Sequence, residues 1–209
     1  MTDGPTNPSP MPGVPASLID RAKNILLTPK TEWAVIDGEA TTVGKLIGGY
    51  AAILAAIAPI ALLLGMLLTP FGSYVFGAMG FLLKILIVTY AMSLGTIVLL
   101  GLAIDLLAPN FGGTKNSVQS MKLAVYSGTA FFVAAAALLL TGLWWLWLVA
   151  GVGYGGYLLW LGLPVLMKVP ADKQPAFAAA AIGIWVVLFL VFQQIAWRVI
   201  FAGMIYGLM

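Results

Sequence analysis

The chain has 209 residues, of which 62% are hydrophobic and only 8% are charged, and its formal net charge is +3. Soluble domains carry about a quarter charged residues, so the composition excludes a water-soluble, disordered or coiled-coil protein and predicts an integral membrane protein. The chain has no cysteine and no histidine. Disulfides, thiol nucleophiles and cysteine or histidine metal sites are therefore excluded, and we expect neither a metal nor a cofactor.

Two segments precede the first long apolar run. Residues 1–17 are rich in proline, which predicts a disordered tail. Residues 18–42 are predicted to form an amphipathic, interfacial segment, in which Ser17 caps a short helix whose polar face carries Arg21 and Lys23. Pro29 ends that helix and begins another. Either this segment lies on the membrane surface with Trp33 at headgroup depth, or it packs on the protein's own end.

Five apolar runs follow within residues 43–209, at 43–68, 81–107, 118–140, 143–167 and 176–197. Each run exceeds the roughly 20 residues that a helix needs to cross a bilayer. None alternates as a strand would, so the fold class is an all-α, polytopic bundle of five transmembrane helices. The residue pair 141–142 predicts a tight hairpin between the third and fourth spans. Residues 71–80 are apolar and rich in glycine, and we interpret them as a short interfacial or re-entrant piece.

The basic residues indicate the orientation of this bundle. Only Lys84 and Arg198 fall on one side of the five spans. The other side carries the remaining eight, which are Arg21, Lys23, Lys30, Lys45, Lys115, Lys122, Lys168 and Lys173. Basic residues favour the cytoplasmic side, so we expect a cytoplasmic N-terminus and an outside C-terminus.

Three segments resemble the Yip family of membrane proteins, named for interaction with Ypt/Rab GTPases. They are LIDRAKNILLTPKTEWAVIDGE at residues 18–39, IDLLAPNFGG at 104–113 and YLLWLGLPVLMKVPADK at 157–173. The first is similar to the opening of the family's bacterial branch. The resemblance implies five membrane helices with a cytoplasmic N-terminus and a location in the bacterial inner membrane. Eukaryotic members act in membrane traffic between the endoplasmic reticulum and the Golgi, but the short N-terminal tail here argues against binding to a Rab-type GTPase.

Asp105 is the only acidic residue near an apolar run, and an acid at such a position is a functional hypothesis by default. It is either a structural anchor paired with Lys115, Lys122 or Lys168, or a contact for a proton or an ion. The turn that follows contains Pro109, Gly112 and Gly113. This turn either only reverses the chain, or its exposed N–H groups hold a lipid phosphate.

We interpret the protein as a non-enzymatic scaffold that binds membrane lipids or other membrane proteins, including a second copy of itself. The residues predicted to bind lipid or partner are Arg21, Lys23, Lys30, Trp33, Asp105, Pro109, Gly112, Gly113 and Lys168. Gly151 and Gly155 form a G-x-x-x-G pattern, which indicates close helix packing, either within the chain or in a homo-oligomer.

The sequence gives less support to two other classes of function, a transporter or channel and an enzyme. A small transporter or channel is the alternative, with a path lined by Thr89, Tyr90, Ser93, Thr96, Tyr126, Ser127 and Thr129. No charged group accompanies that path. An enzyme is not expected because pairs of nucleophile and base are lacking, and the basic residues form no dense patch for a nucleic acid.

Overall fold

The computed structural model describes residues 17–69, 79–140 and 144–206. Within these ranges all regular structure is helical. The predicted tail at residues 1–16, residues 71–78 of the predicted interfacial piece and the predicted hairpin at 141–142 lie outside the described residues.

The helices of the described residues are numbered in chain order. They are α1 (Leu18–Leu27), α2 (Pro29–Gly38), α3 (Val43–Leu67), α4 (Met79–Leu107), α5 (Ser117–Ala134), α6 (residues 144–166) and α7 (Gln174–Tyr206). Short 3₁₀ turns, Ala108–Phe111 and Ala135–Leu139, extend α4 and α5. One π-helical segment interrupts α3 at Ile47–Ala51, and another interrupts α6 at Val149–Gly153.

Helices α3 to α7 are long and apolar enough to cross a membrane. The five spans are Val43–Leu67, Gly80–Phe111, Ser117–Leu139, Val149–Leu166 and Gln174–Ile200. The predicted fold class, an all-α bundle with five membrane helices, is thereby confirmed, and the protein is an integral, multi-pass membrane protein.

Helix α5 is the centre of the bundle. It packs against α3, α4 and α6, while α7 closes the outside by packing on α4 and α6. Two thirds of the apolar window of α5 is buried inside the protein (67%), against 22% for α7. The more polar composition of α5 follows from this position, because its side chains meet other helices and not lipid tails.

Helices α1 and α2 lie beside α5 and α6. The Ser17 hydroxyl accepts a hydrogen bond from the N–H of Asp20, which confirms the predicted N-terminal capping of α1. Pro29 begins α2, which confirms the predicted break between the two helices. The segment packs on the protein itself, and its position relative to the membrane stays a prediction. We call the end of the bundle with the loops 108–116 and 167–173 the basic end.

Candidate functional site

The three segments that carry the family resemblance meet at the basic end of the bundle. The N–H of Thr114 donates to the carbonyl oxygen of Met167 at 2.8 Å, which joins the second segment's loop to the third segment. The ammonium group of Lys168 lies 2.7 Å from a carboxylate oxygen of Asp37, which joins the third segment to the first. We call these three segments, residues 18–39, 104–114 and 157–173, the cap.

A buried ion-pair group holds α1 and α2 together. Arg21 pairs with the carboxylates of Glu32 and Glu39, and its guanidinium lies 5.6 Å from the centre of the Tyr126 ring. Arg21 is 3% exposed and Glu32 is 6% exposed. Burial raises the pKa of the Glu32 carboxyl above its ordinary value and outweighs the opposing effect of Arg21.

The position of Arg21 corrects one sequence expectation. Arg21 was placed on the outward, polar face of α1, but the structure turns it inward to two acidic residues of the next segment. Glu32 and Glu39, which sequence reasoning did not select, are its partners. The available signal was the presence of three acidic residues, Glu32, Asp37 and Glu39, in the short stretch before the first span.

Lys122 ties the end of α2 to the central helix. Its ammonium group is buried and donates to the carbonyl oxygens of Ile36 at 2.7 Å and Glu39 at 2.8 Å. The side-chain amide of Gln119, one turn earlier in α5, donates to a carboxylate oxygen of Asp37 at 2.9 Å. The last carbonyls of a helix lack partners within that helix and favour a cation, so Lys122 stabilises the C-terminal end of α2.

Trp33 does not present its ring to the surroundings of the protein, as an aromatic residue anchored among lipid headgroups would. It is fully buried, and its ring fills the space beside Gly162 of α6. A Cβ atom at Gly162 would come within 2.9 Å of the Trp33 ring and 2.5 Å of the Leu123 side chain. The reason is steric, since α6 has no side chain at this position and leaves room for an indole.

Asp105 is buried near the end of α4, with 8% of its surface exposed. Its Oδ1 atom has no hydrogen-bond partner in the described part of the chain. The predicted pairing with Lys122 or Lys168 is wrong, because Lys122 binds carbonyl oxygens of α2 and Lys168 binds Asp37. The cap therefore contains a buried acid that neither of these two lysines neutralises.

The loop after α4 is shaped by two glycines. Gly112 adopts a left-handed φ of 71°, which glycine reaches without strain. At Gly113 a Cβ atom would lie 2.9 Å from the carbonyl oxygen of Met167, so only glycine allows the two loops to approach this closely. Lys168 also has a positive φ, of 53°, which is uncommon for a residue with a side chain.

The remaining predicted site residues are on the surface. Lys23 and Lys30 are exposed on the outward side of α1 and α2, and Pro109, Gly112 and Lys168 are exposed on the loops. Of these five residues, Lys168 alone forms an ion pair within the described part of the chain, with Asp37 of the first cap segment. The nine predicted residues thus separate into a buried group, Arg21, Trp33 and Asp105, the half-buried Gly113, and an exposed group of five.

Gly151 and Gly155 face the interior of the same chain. A Cβ atom at Gly155 would come within 2.5 Å of the Trp185 ring, and one at Gly151 within 3.0 Å of the Phe131 backbone. The structure therefore uses both glycines for packing α6 against α5 and α7, and a second copy has no room at these positions.

Two hollows are described among the membrane helices. An open groove of about 550 Å³ runs along the outward face of α6, beside Tyr157, Trp160 and Ile182. A small, partly open hollow of about 50 Å³ is lined by apolar side chains and by four polar residues, Thr89, Ser93, Thr96 and Gln193. Among the described residues, no three acidic side chains come together as they would to hold a metal ion.

A comparison with known families gives one match. The model of the Yip1 domain matches residues 23–193, which is most of the chain and includes all three cap segments almost completely. No curated protein and no solved structure matches the chain significantly. The matched range begins in α1 and ends within the last span, so it covers the cap and the five membrane helices together. This chain therefore belongs to the Yip1 domain family.

Proposed function

We propose that the protein is a non-enzymatic scaffold that binds membrane lipids, or a partner membrane protein, at its basic end. The observation that carries this proposal is the cap itself. The hydrogen bond from Thr114 to Met167 and the ion pair of Lys168 with Asp37 hold its three segments together, and Lys122 ties the first segment to α5. Such contacts fix the shape of a surface at the end of the bundle. A fixed, basic surface suits recognition of an anionic headgroup or an acidic protein segment.

The distribution of charge supports a cytoplasmic position for this end. Lys115, Lys168 and Lys173 are exposed at the basic end, and Lys23 and Lys30 are exposed on the adjoining helices α1 and α2. Basic residues are enriched on the cytoplasmic side of membrane proteins. The N-terminus is then cytoplasmic and the C-terminus is outside. The bacterial branch of the family suggests the bacterial inner membrane as the location.

The two groups of site residues have different roles in this proposal. Lys23, Lys30 and Lys168 offer exposed positive charge, and Pro109 and Gly112 offer an exposed loop to the ligand. Arg21 and Trp33 are buried and act through the position of α1 and α2. A second copy of the chain is also a possible partner, but it would have to bind a surface other than Gly151 and Gly155.

A transporter or channel is the alternative function, and the small hollow with four polar residues in its lining is the observation that favours it. At about 50 Å³ the hollow has room for one or two water molecules. The hydroxyl groups of Ser93 and Thr96 donate to carbonyl oxygens of their own helix, so their protons are already used within the protein. These features support a packed bundle and weigh against a continuous polar path.

Native mass spectrometry of the detergent-extracted protein tests the proposal. We expect a specific phospholipid or protein to stay bound to the wild type. Binding should weaken in Lys168→Ala and Asp105→Asn, which change the cap, and should persist in Arg198→Gln, a control at the opposite end of α7. A lipid-free monomer without a partner would contradict the proposal, and solute flux in liposomes would then support the alternative.

A further inference from the structure

The contacts of α2 show how far it extends along the bundle. The hydroxyl of Tyr154 donates to the carbonyl oxygen of Leu26, just before α2, at 2.6 Å. Tyr154 starts a 13-residue α-helical segment that ends at Leu166, at the basic end, and so lies about 18 Å from that end. At the opposite end of α2, Asp37 contacts Gln119 and Lys168. Helix α2 therefore runs beside α6 from the basic end to about half the thickness of a 30 Å hydrocarbon layer.

Several backbone groups of the turn between α1 and α2 have partners, although α2 begins without a side-chain cap. The N–H of Thr28 donates to the carbonyl oxygen of Asn24, and the carbonyl oxygen of Thr28 accepts from the N–H of Glu32. Tyr154 supplies the partner of Leu26, and Pro29 has no N–H. Backbone that is not part of a continuous spanning helix is tolerated inside a membrane when its polar groups are satisfied in this way.

The outward side of α1 and α2 mixes apolar and charged residues. Ile19 and Leu27 are 75% and 69% exposed, as suits contact with lipid tails. Lys23 and Lys30 are exposed on the same two helices. A lysine surrounded by hydrocarbon is costly, and its long side chain reaches toward the nearest polar layer. A phosphate drawn toward the lysines would relieve this cost.

We infer that α1 and α2 form a re-entrant hairpin that enters the membrane leaflet at the basic end, and that Lys23 and Lys30 bind the phosphate of an anionic phospholipid below the level of the surrounding headgroups. The hairpin's depth follows from the contacts of Tyr154 and Asp37. The identity of the ligand rests on the proposed lipid-binding function. The sequence expectation of a helix lying flat on the membrane is replaced by a helix pair inserted beside α6.

The depth of the hairpin is measurable because the chain has no cysteine, so single spin labels are easily placed. We would label Leu27→Cys in nanodiscs that contain phosphatidylglycerol and compare its collision rates with oxygen and with a water-soluble nickel complex. Val187→Cys, exposed in the middle of α7, and Leu106→Cys, exposed at the basic end of α4, are the references. We expect Leu27 to resemble Val187. A label at Leu27 that is as accessible to nickel as the one at Leu106 would overturn the hairpin's depth.

The ligand is tested by native mass spectrometry with phosphatidylglycerol as the probe and phosphatidylcholine as the neutral comparison. We expect Lys23→Gln with Lys30→Gln to reduce phosphatidylglycerol retention about tenfold, and Arg198→Gln, exposed at the opposite end of the bundle, to leave it unchanged. Equal retention by the double variant would overturn the lysine site while the proposed function stands. Failure of the wild type to retain any phospholipid would overturn the site and the lipid-binding function together.

Discussion

The indole ring of Trp33 occupies the space that Gly162 leaves open between α2 and the central helix. A methyl group at position 162 would meet the ring at 2.9 Å and Leu123 at 2.5 Å, distances that packed side chains do not tolerate. This contact, like the ion pair of Lys168 with Asp37, joins the first cap segment to the third. It makes the docking of α1 and α2 sensitive to one methyl group on α6.

Gly162→Ala should therefore destabilise the protein and loosen α1 and α2. Overpacking of a close contact costs about 1 to 3 kcal/mol, and we expect a loss of this size in the free energy of unfolding by sodium dodecyl sulfate. Gly183→Ala is the matched control, since a Cβ atom at that helical glycine meets nothing within 4 Å. Adding Trp33→Phe should restore part of the loss, because the smaller ring makes room for the methyl group. Equal stability of the Gly162 and Gly183 variants would contradict the packing described here.

The buried ion-pair group should respond unequally to loss of its members. Arg21→Gln leaves Glu32 and Glu39 without their shared cation, and breaking a buried pair costs about 3 to 5 kcal/mol. Glu32→Gln removes one of two acids and leaves Arg21 paired with Glu39, so we expect a smaller loss. Unfolding of both variants, measured at neutral pH under one set of detergent conditions, gives the comparison. A larger loss for Glu32→Gln would show that Glu39 does not stabilise Arg21.

The pH dependence of Glu32 has a definite sign. Burial raises the pKa of this carboxyl in the folded protein, so between its ordinary and its raised pKa the folded state binds more protons than the unfolded state. The contribution of Glu32 to the free energy of unfolding then falls as pH rises through that window and is constant above it. The unfolding free energy of the wild type minus that of Glu32→Gln should fall with rising pH over the same window. A difference that increases with pH would mean that Arg21 outweighs burial.

The sequence predicted the bundle well because membrane spans depend on a local property. Runs of apolar residues such as 43–68 and 176–197 identify helices without knowledge of their neighbours, and the described spans agree with them closely. The cap could not be predicted in this way, because it depends on contacts between distant parts of the chain. Its contacts join Arg21 to Glu39 and Lys122 to Ile36, and a helical wheel of α1 cannot show that a polar face is turned toward another polar segment.

The burial of Trp33 was also not predictable from local sequence. An aromatic residue just before a span is typical of the membrane interface, and only the absence of a side chain at Gly162 makes the interior available to it. Asp105 was correctly singled out as unusual, but its expected partners were assigned by shared sidedness alone. The ion pair of Lys168 with Asp37 links residues 131 positions apart, a separation at which a single sequence gives no signal of contact.

Lys168 offers a separate test of backbone strain. Its φ of 53° is left-handed, which costs a residue with a Cβ atom roughly 1 to 2 kcal/mol relative to glycine. Lys168→Ala keeps that strain and loses the ion pair with Asp37, while Lys168→Gly loses the ion pair and relieves the strain. We therefore expect the glycine variant to be the more stable of the two in detergent unfolding. If the alanine variant were equally stable, the left-handed conformation at the end of α6 would not be under strain.

Asp105→Asn should raise the stability of the protein, because a neutral amide is less costly to bury than a carboxylate whose Oδ1 atom lacks a hydrogen-bond partner. We expect a gain of about 1 kcal/mol in the free energy of unfolding. Asp37→Asn is the contrasting variant, since it loses the ion pair with Lys168 and should lower stability. Residues that bind ligands are often retained at a cost to stability. A gain in stability together with loss of the bound lipid or protein would therefore assign Asp105 to function. A fall in stability would instead mean that the folded protein gives Asp105 a partner, and that it serves as a structural anchor of the cap.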